Sequence, residues 1–159
     1  MIARIIQGIL YTGFLTFGSI SDIRTHTVPD WVWMGVAGTA LIGIKLSSLP
    51  SICNTPQAYC SEIVHGTISG LLGAAAVLLI EVPLAVAMKD RAIGGADIKI
   101  SAAGAFLLGW RKGLAALIVG LTLSILIMPV VRAIRHEKQD TRFALVPFLA
   151  AGQLALYYI

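Results

Sequence analysis

The chain has 159 residues, of which 57% are hydrophobic and 13% charged, and its formal net charge is +4. That balance leaves too little polar surface for a water-soluble globule and predicts an integral membrane protein. The positive charge does not indicate a nucleic-acid partner, because the bases fall in short connections between apolar runs and form no stripe among exposed aromatics.

In chain order, the apolar runs predict six transmembrane helices, at about 3–20, 30–46, 63–83, 97–110, 113–133 and 143–159. The fourth is the shortest and contains Lys99. Only helices or a closed barrel satisfy the backbone in lipid, and these runs are continuous where a barrel strand would alternate. The expected fold class is therefore all-α, a polytopic membrane protein with one domain over residues 1–159 and the lipid bilayer as its surroundings. A secretory signal peptide is the competing reading of the first run, since Arg4 precedes it and Gly18 and Ser19 are small. The run passes straight into a charged motif and further apolar segments, which favours a retained helix.

Loops after the first, third and fifth runs hold Arg24, Lys89, Arg91, Lys99, Arg132, Arg135, Lys138 and Arg142, against Arg4, Lys45, Arg111 and Lys112 on the other side. The bias places the first set in the cytoplasm and both termini outside a multi-pass cell membrane protein. Cys53 and Cys60 then lie in the outer loop SSLPSICNTPQAYCSE, where either a disulfide or two thiols without a role fits. No paired C-x-x-C or His cluster is present, so no metal and no cofactor is expected. Gly66-x-x-x-Gly70 and Gly109-x-x-x-Gly113 read as close helix packing, and Pro83 and Pro129 as kinks or helix ends.

Acids in an apolar chain are the candidates for chemistry, and there are eight. Glu62, Asp90, Glu137 and Asp140 sit among polar or basic neighbours and read as solvated. Glu81, two residues before Pro83, either snorkels to the cytoplasmic interface or meets a backbone group freed by the proline. Asp22 and Asp97 differ: each lies at the cytoplasmic end of an apolar helix, is followed two residues later by a base (Arg24, Lys99), and stands 75 positions from the other.

If two such carboxyls meet in a sheltered site they share a proton. The charged member then draws a proton from water while the protonated one polarises a peptide carbonyl, which is hydrolysis without a metal or a covalent nucleophile. Gly94 and Gly95 before Asp97 permit positive φ and the close approach of a substrate chain. Each motif also has a purely structural reading. Asp97 serves as a helix N-terminal cap, Asp22 and Arg24 as interfacial charges, and Val28-Pro29-Asp30-Trp31 as a helix start with Trp31 and Trp33 at the headgroup level. His26 reads as a solvated loop histidine.

Together, "DIRTHTVPD" from Asp22 to Asp30 and "GGADIK" with Gly94, Asp97 and Lys99 resemble the paired motifs of the type IV prepilin peptidases, membrane aspartyl proteases with D-x-R/K-x-x-x-I/V-P-N/D and G-x-G-D-x-K. Ala96 stands where that family has glycine. "FALVPFLAAG" at 143–152 is similar to the family's closing helix. The resemblance implies an aspartic endopeptidase that removes the basic leader of prepilin-like precursors at the cytoplasmic face, with Asp22 and Asp97 as the acid and base. It makes Arg24, Pro29, Gly94, Gly95 and Lys99 supporting residues, and Asp30 or Asp90 unpaired acids available to a basic leader. The first cytoplasmic loop is short and lacks cysteine, so N-methylation, which larger members perform with a C-x-x-C region, is not expected. The competing readings are a small ion-coupled transporter with Asp22, Asp97 and Glu81 along a path, and an inactive prepilin-binding protein. Oligomeric state is left open.

Overall fold

A computed structural model describes residues 2–52, 56–87, 94–135 and 144–159. Five helices follow one another: α1 (Ile2–Thr25), α2 (Asp30–Ile52), α3 (Pro56–Ala87), α4 (Gly95–Arg135) and α5 (Val146–Tyr158), with no strand among the described residues. The all-α expectation holds. Two helical stretches, Cys60–Ala87 and Gly95–Val131, are long and apolar enough to cross a membrane, where six were expected. α5 is too short at 13 residues, and α4 takes in the fourth and fifth expected segments as one element.

The joint between those two segments is at Gly109, whose φ of 79° and ψ of 173° are open essentially to glycine alone. In a straight helix Ala105 and Gly113 would be about 12 Å apart. Here a Cβ on Gly113 would come within 2.8 Å of the Ala105 Cβ, so the chain reverses at Gly109 and its two limbs, 95–108 and 110–135, pack side by side. The polar group Trp110-Arg111-Lys112 marks the joint in sequence. The Gly109-x-x-x-Gly113 spacing is thus part reversal and part packing seam. Pro83 and Pro129 sit inside α3 and α4, and neither ends its helix.

Neighbouring helices run antiparallel. Gly18 faces Val32 and Gly35 faces Phe14 across α1 and α2. Gly70 faces Phe106 and Gly73 faces Ala105 across α3 and the first limb of α4, while Gly120 faces Leu149 across its second limb and α5. Without a hydrophobic force between helices in lipid, close backbone approach supplies the attraction. A Cβ at Gly70 or Gly73 would come within 2.6 Å of a facing carbonyl oxygen.

One buried cluster joins Tyr11, Leu15, Val32, Val36, Ile100, Ala103, Val146 and Ala150 from α1, α2, α4 and α5. A second joins Val77 and Ala85 of α3 to Ala105, Leu117, Leu145 and Leu149. The first limb of α4 contributes to both and is the centre of the bundle. Large apolar side chains such as Leu79, Val86, Ile118 and Ile125 are exposed, while Asp22, Glu81, Asp97 and Gln153 are buried. A surface greasier than its interior suits lipid surroundings.

Candidate active site

α1 ends because His26 takes a left-handed conformation, φ 50°, with its N–H donating to the Asp22 carbonyl at 3.0 Å. The turn that follows is tied by Ser21 Oγ to the Thr27 carbonyl at 2.8 Å and by Thr25 Oγ1 to the Ser21 carbonyl at 2.9 Å. Pro29 immediately precedes α2, and its carbonyl accepts the Val32 N–H at 3.0 Å. These contacts hold Asp22 in the last turn of α1 with its side chain 7% exposed.

The Asp22 carboxylate turns inward and accepts the Val146 N–H through Oδ2 at 3.1 Å. Leu145, the residue before α5, offers no side-chain cap of its own. The free N–H at the first turn of α5 is therefore satisfied by an acid 124 positions earlier.

Asp97 lies in the first turn of α4, also 7% exposed. Its Oδ2 accepts the Gly94 N–H at 2.7 Å, and its own N–H donates to the Gly94 carbonyl at 3.1 Å. The first contact is the side-chain half of a capping box, with Asp97 in the third position of the helix reaching back to the N–H of Gly94, so Asp97 caps its helix from within the first turn and not as the N-cap residue. A Cβ on Gly94 would stand 3.2 Å from Asp97 Oδ2, and one on Gly95 would meet nothing within 4 Å. The expected positive φ is absent at both, since among described glycines only Gly109 has it. The lack of a side chain at Gly94 leaves space beside the Asp97 carboxyl instead. Ala96 has a helical backbone and imposes no left-handed strain.

The two motifs converge. Asp22 and Asp97 are close enough to interact electrostatically. Ile100, one turn past Asp97, packs in the same cluster as Val146, whose N–H Asp22 holds. Each carboxyl sits at the N-terminus of a helix, α5 for Asp22 and α4 for Asp97, where it meets free N–H groups and partial positive charge.

A second link joins the motifs at the surface. Lys99 Nζ donates to Asp30 Oδ1 at 2.7 Å, Trp33 Nε1 donates to the same oxygen at 3.0 Å, and Lys99 lies 5.7 Å from the Trp33 ring centroid. Asp30 is thus paired, which corrects the expectation of an unpaired acid awaiting a basic leader, and Lys99 holds Asp30 in place of either catalytic candidate. Arg24 is exposed in the last turn of α1 and makes no ion pair among the described residues. Asp90 and Cys53 lie outside the described residues; Cys60 is exposed near the start of α3.

Glu81 departs most from expectation. It is 0% exposed, so it does not snorkel, and neither carboxyl oxygen has a hydrogen-bond partner among the described residues. It interacts electrostatically with Asp97. Ser101, one turn beyond Asp97 and 3% exposed, stands near it but reaches no hydrogen-bond geometry, leaving its own Oγ unpaired too. The Val146 N–H and Ser101 escape sequence reasoning. Pro147 signals the start of α5, but nothing in the spacing names Asp22 as its cap.

No group of three or more His, Cys, Asp or Glu side chains suited to a metal ion occurs among the described residues. What the arrangement can do chemically is hold two sheltered carboxyls beside an open glycine pair. No curated protein and no solved structure matches the chain. The type IV leader peptidase family matches over residues 9–130, a region that includes both aspartates, Glu81 and the Gly109 reversal. Well over half of the chain being covered, this is a membrane protein and a peptidase of the type IV leader peptidase family.

Proposed function

We propose that the chain is an aspartic endopeptidase that removes the basic leader of prepilin-like precursors at the cytoplasmic face of the cell membrane, using Asp22 and Asp97 as general base and general acid. The observation that carries this reading is the approach of those two buried carboxyls, from motifs 75 positions apart, within a chain of the leader peptidase family. One aspartate accepts a proton from water as the water oxygen bonds to the scissile carbonyl carbon; the other gives a proton to the carbonyl oxygen. On collapse the C–N bond breaks, the amine leaves with the proton taken from water, and the second aspartate regains its own. The missing side chain of Gly94, whose Cβ would stand 3.2 Å from Asp97 Oδ2, gives a substrate backbone room beside that carboxyl.

The same reading takes residues 1–159 as one membrane domain in which the two limbs of α4 are separate segments of the bundle. The end of α1, the starts of α2, α4 and α5 and the electrostatic contact between Glu81 and Asp97 all belong to one end of the bundle. Arg4 and Gly8 meet Tyr157 and Tyr158 at the other. By sequence, eight of the twelve Lys and Arg residues fall in the connections expected at the acid end, which supports its cytoplasmic placement. The connection from α1 to α2 is residues 26–29, with no room for a C-x-x-C region, which supports cleavage without N-methylation.

Co-expression with candidate prepilins, followed by gel mobility and mass spectrometry of the product, tests the reading. Leader removal lost in both Asp22→Asn and Asp97→Asn, with an unmethylated product from the wild type, is the expected result. Normal processing by either folded variant overturns it.

A further inference from the structure

Asp22 and Asp97 each have a backbone N–H, and Asp30 has Lys99 and Trp33. Glu81 has nothing. Its neighbours one turn either way on α3, Val77 and Ala85, are buried, so it occupies the inner face of the helix where an apolar residue of its size would cost less. A carboxyl kept at such a position without hydrogen bond or ion pair among the described residues is costly, and intramembrane acids of this kind mark function. The titratable group beside it is Asp97, and the hydroxyl beside it, Ser101, is likewise unpaired.

We propose that Glu81 is a third acid of the site, a positioning residue that stores a proton and exchanges it with Asp97. The proposal rests on the peptidase reading and deepens it. The exchange moves one proton from the Glu81 carboxyl to a carboxylate oxygen of Asp97, leaving Glu81 as carboxylate and Asp97 as neutral acid; the reverse step after product release restores both. No net proton is consumed, and the water used in hydrolysis is divided between the new carboxyl and the new amine. Glu81 thereby keeps the aspartate pair singly protonated, the state in which one member attacks water and the other donates.

The test uses the full chain in proteoliposomes with a prepilin-type peptide. Glu81→Gln and Glu81→Leu are expected to lower kcat at least about tenfold, at the lower end of general acid–base effects, with KM within about twofold of wild type. Both variants are expected to melt at or above the wild-type temperature, since an unpaired buried carboxyl is removed. Glu81→Asp is expected to restore most of kcat. Dicyclohexylcarbodiimide, which adds to protonated carboxyls in apolar surroundings, should label Glu81 in the wild type and in Asp22→Asn. Wild-type kcat in Glu81→Gln overturns the proposal, as does a kcat loss matched by a lower melting temperature or the absence of any adduct at Glu81. If Glu81→Gln is silent while Asp22→Asn and Asp97→Asn are dead, only this inference falls; if those two cleave normally, the peptidase reading falls with it.

Discussion

The capping contact of Asp22 and its proposed role in catalysis are separable, and substitutions at this position divide them. Its Oδ2 is the acceptor for the Val146 N–H at 3.1 Å, at a helix start with no local cap. Asp22→Ala removes that acceptor and leaves a buried N–H unpaired, at a cost of about 1–3 kcal/mol. Asp22→Asn keeps an amide oxygen that accepts the same N–H and forfeits only the charge-assisted part, about 1 kcal/mol. For a chain of this length about 2 kcal/mol corresponds to a melting-point drop of about 4–8 °C. Leader cleavage should be lost in both variants, whereas thermal unfolding in detergent, followed by circular dichroism, should separate them, with Asp22→Ala melting several degrees below Asp22→Asn. Equal melting of the two variants would refute the capping contact. Cleavage by Asp22→Asn would refute the chemical role while leaving the cap intact.

Three further outcomes follow from the packing. Gly109→Ala should destabilise by about 1–3 kcal/mol, because the backbone there is essentially restricted to glycine and the new Cβ would lie 2.8 Å from Ser69 Oγ; denaturant titration checks it, and Ser69→Gly should recover only the collision part. Gln153→Leu should cost about 1–3 kcal/mol by stranding the buried Tyr11 hydroxyl, which donates to Gln153 Oε1 at 2.9 Å. A double-mutant cycle with Tyr11→Phe should show strong coupling between the two. Lys99→Gln should leave the melting temperature unchanged, since both members of its pair with Asp30 are exposed, with side-chain exposures of 49% and 70%.

Local pattern made much of this legible. Apolar runs located every helix, because a lipid-facing helix must be apolar along its length, and the acids stood out because little else in the chain is charged. Asp22 and Asp97 were visible from that contrast and from their motifs. The Gly109 reversal was half visible: Arg111 and Lys112 fell between two expected helices, yet a single glycine with positive φ accomplishes the turn with helical backbone on both sides. Partnerships across the bundle were not visible. Lys99 follows Asp97 by two residues and reads as its companion, but successive residues on a helix face different directions, and Lys99 reaches Asp30 instead. Glu81 was misplaced for a related reason. Proximity to Pro83 suggested an interface, while burial depends on which face of α3 meets α4, and the apolar residues surrounding Glu81 in sequence do not mark one face from another.

Helix termini, with no ion pair to either acid among the described residues, hold Asp22 and Asp97. Two helix N-termini, of α4 and α5, point their free N–H groups into the same region, and each receives a carboxylate: Asp97 from its own helix, Asp22 from α1. The two helices therefore position the acids and are capped by them, so folding of the bundle end and assembly of the site are one event. A lysine in place of those N–H groups would neutralise a carboxyl permanently, whereas a helix terminus offers only partial charge and leaves the acid free to take and give a proton. That argument also separates Glu81 from the other two. Among the described residues it meets no helix terminus, it lies at 0% exposure, and its interactions are with Asp97 and Ser101, which suits the proposed role of holding a proton.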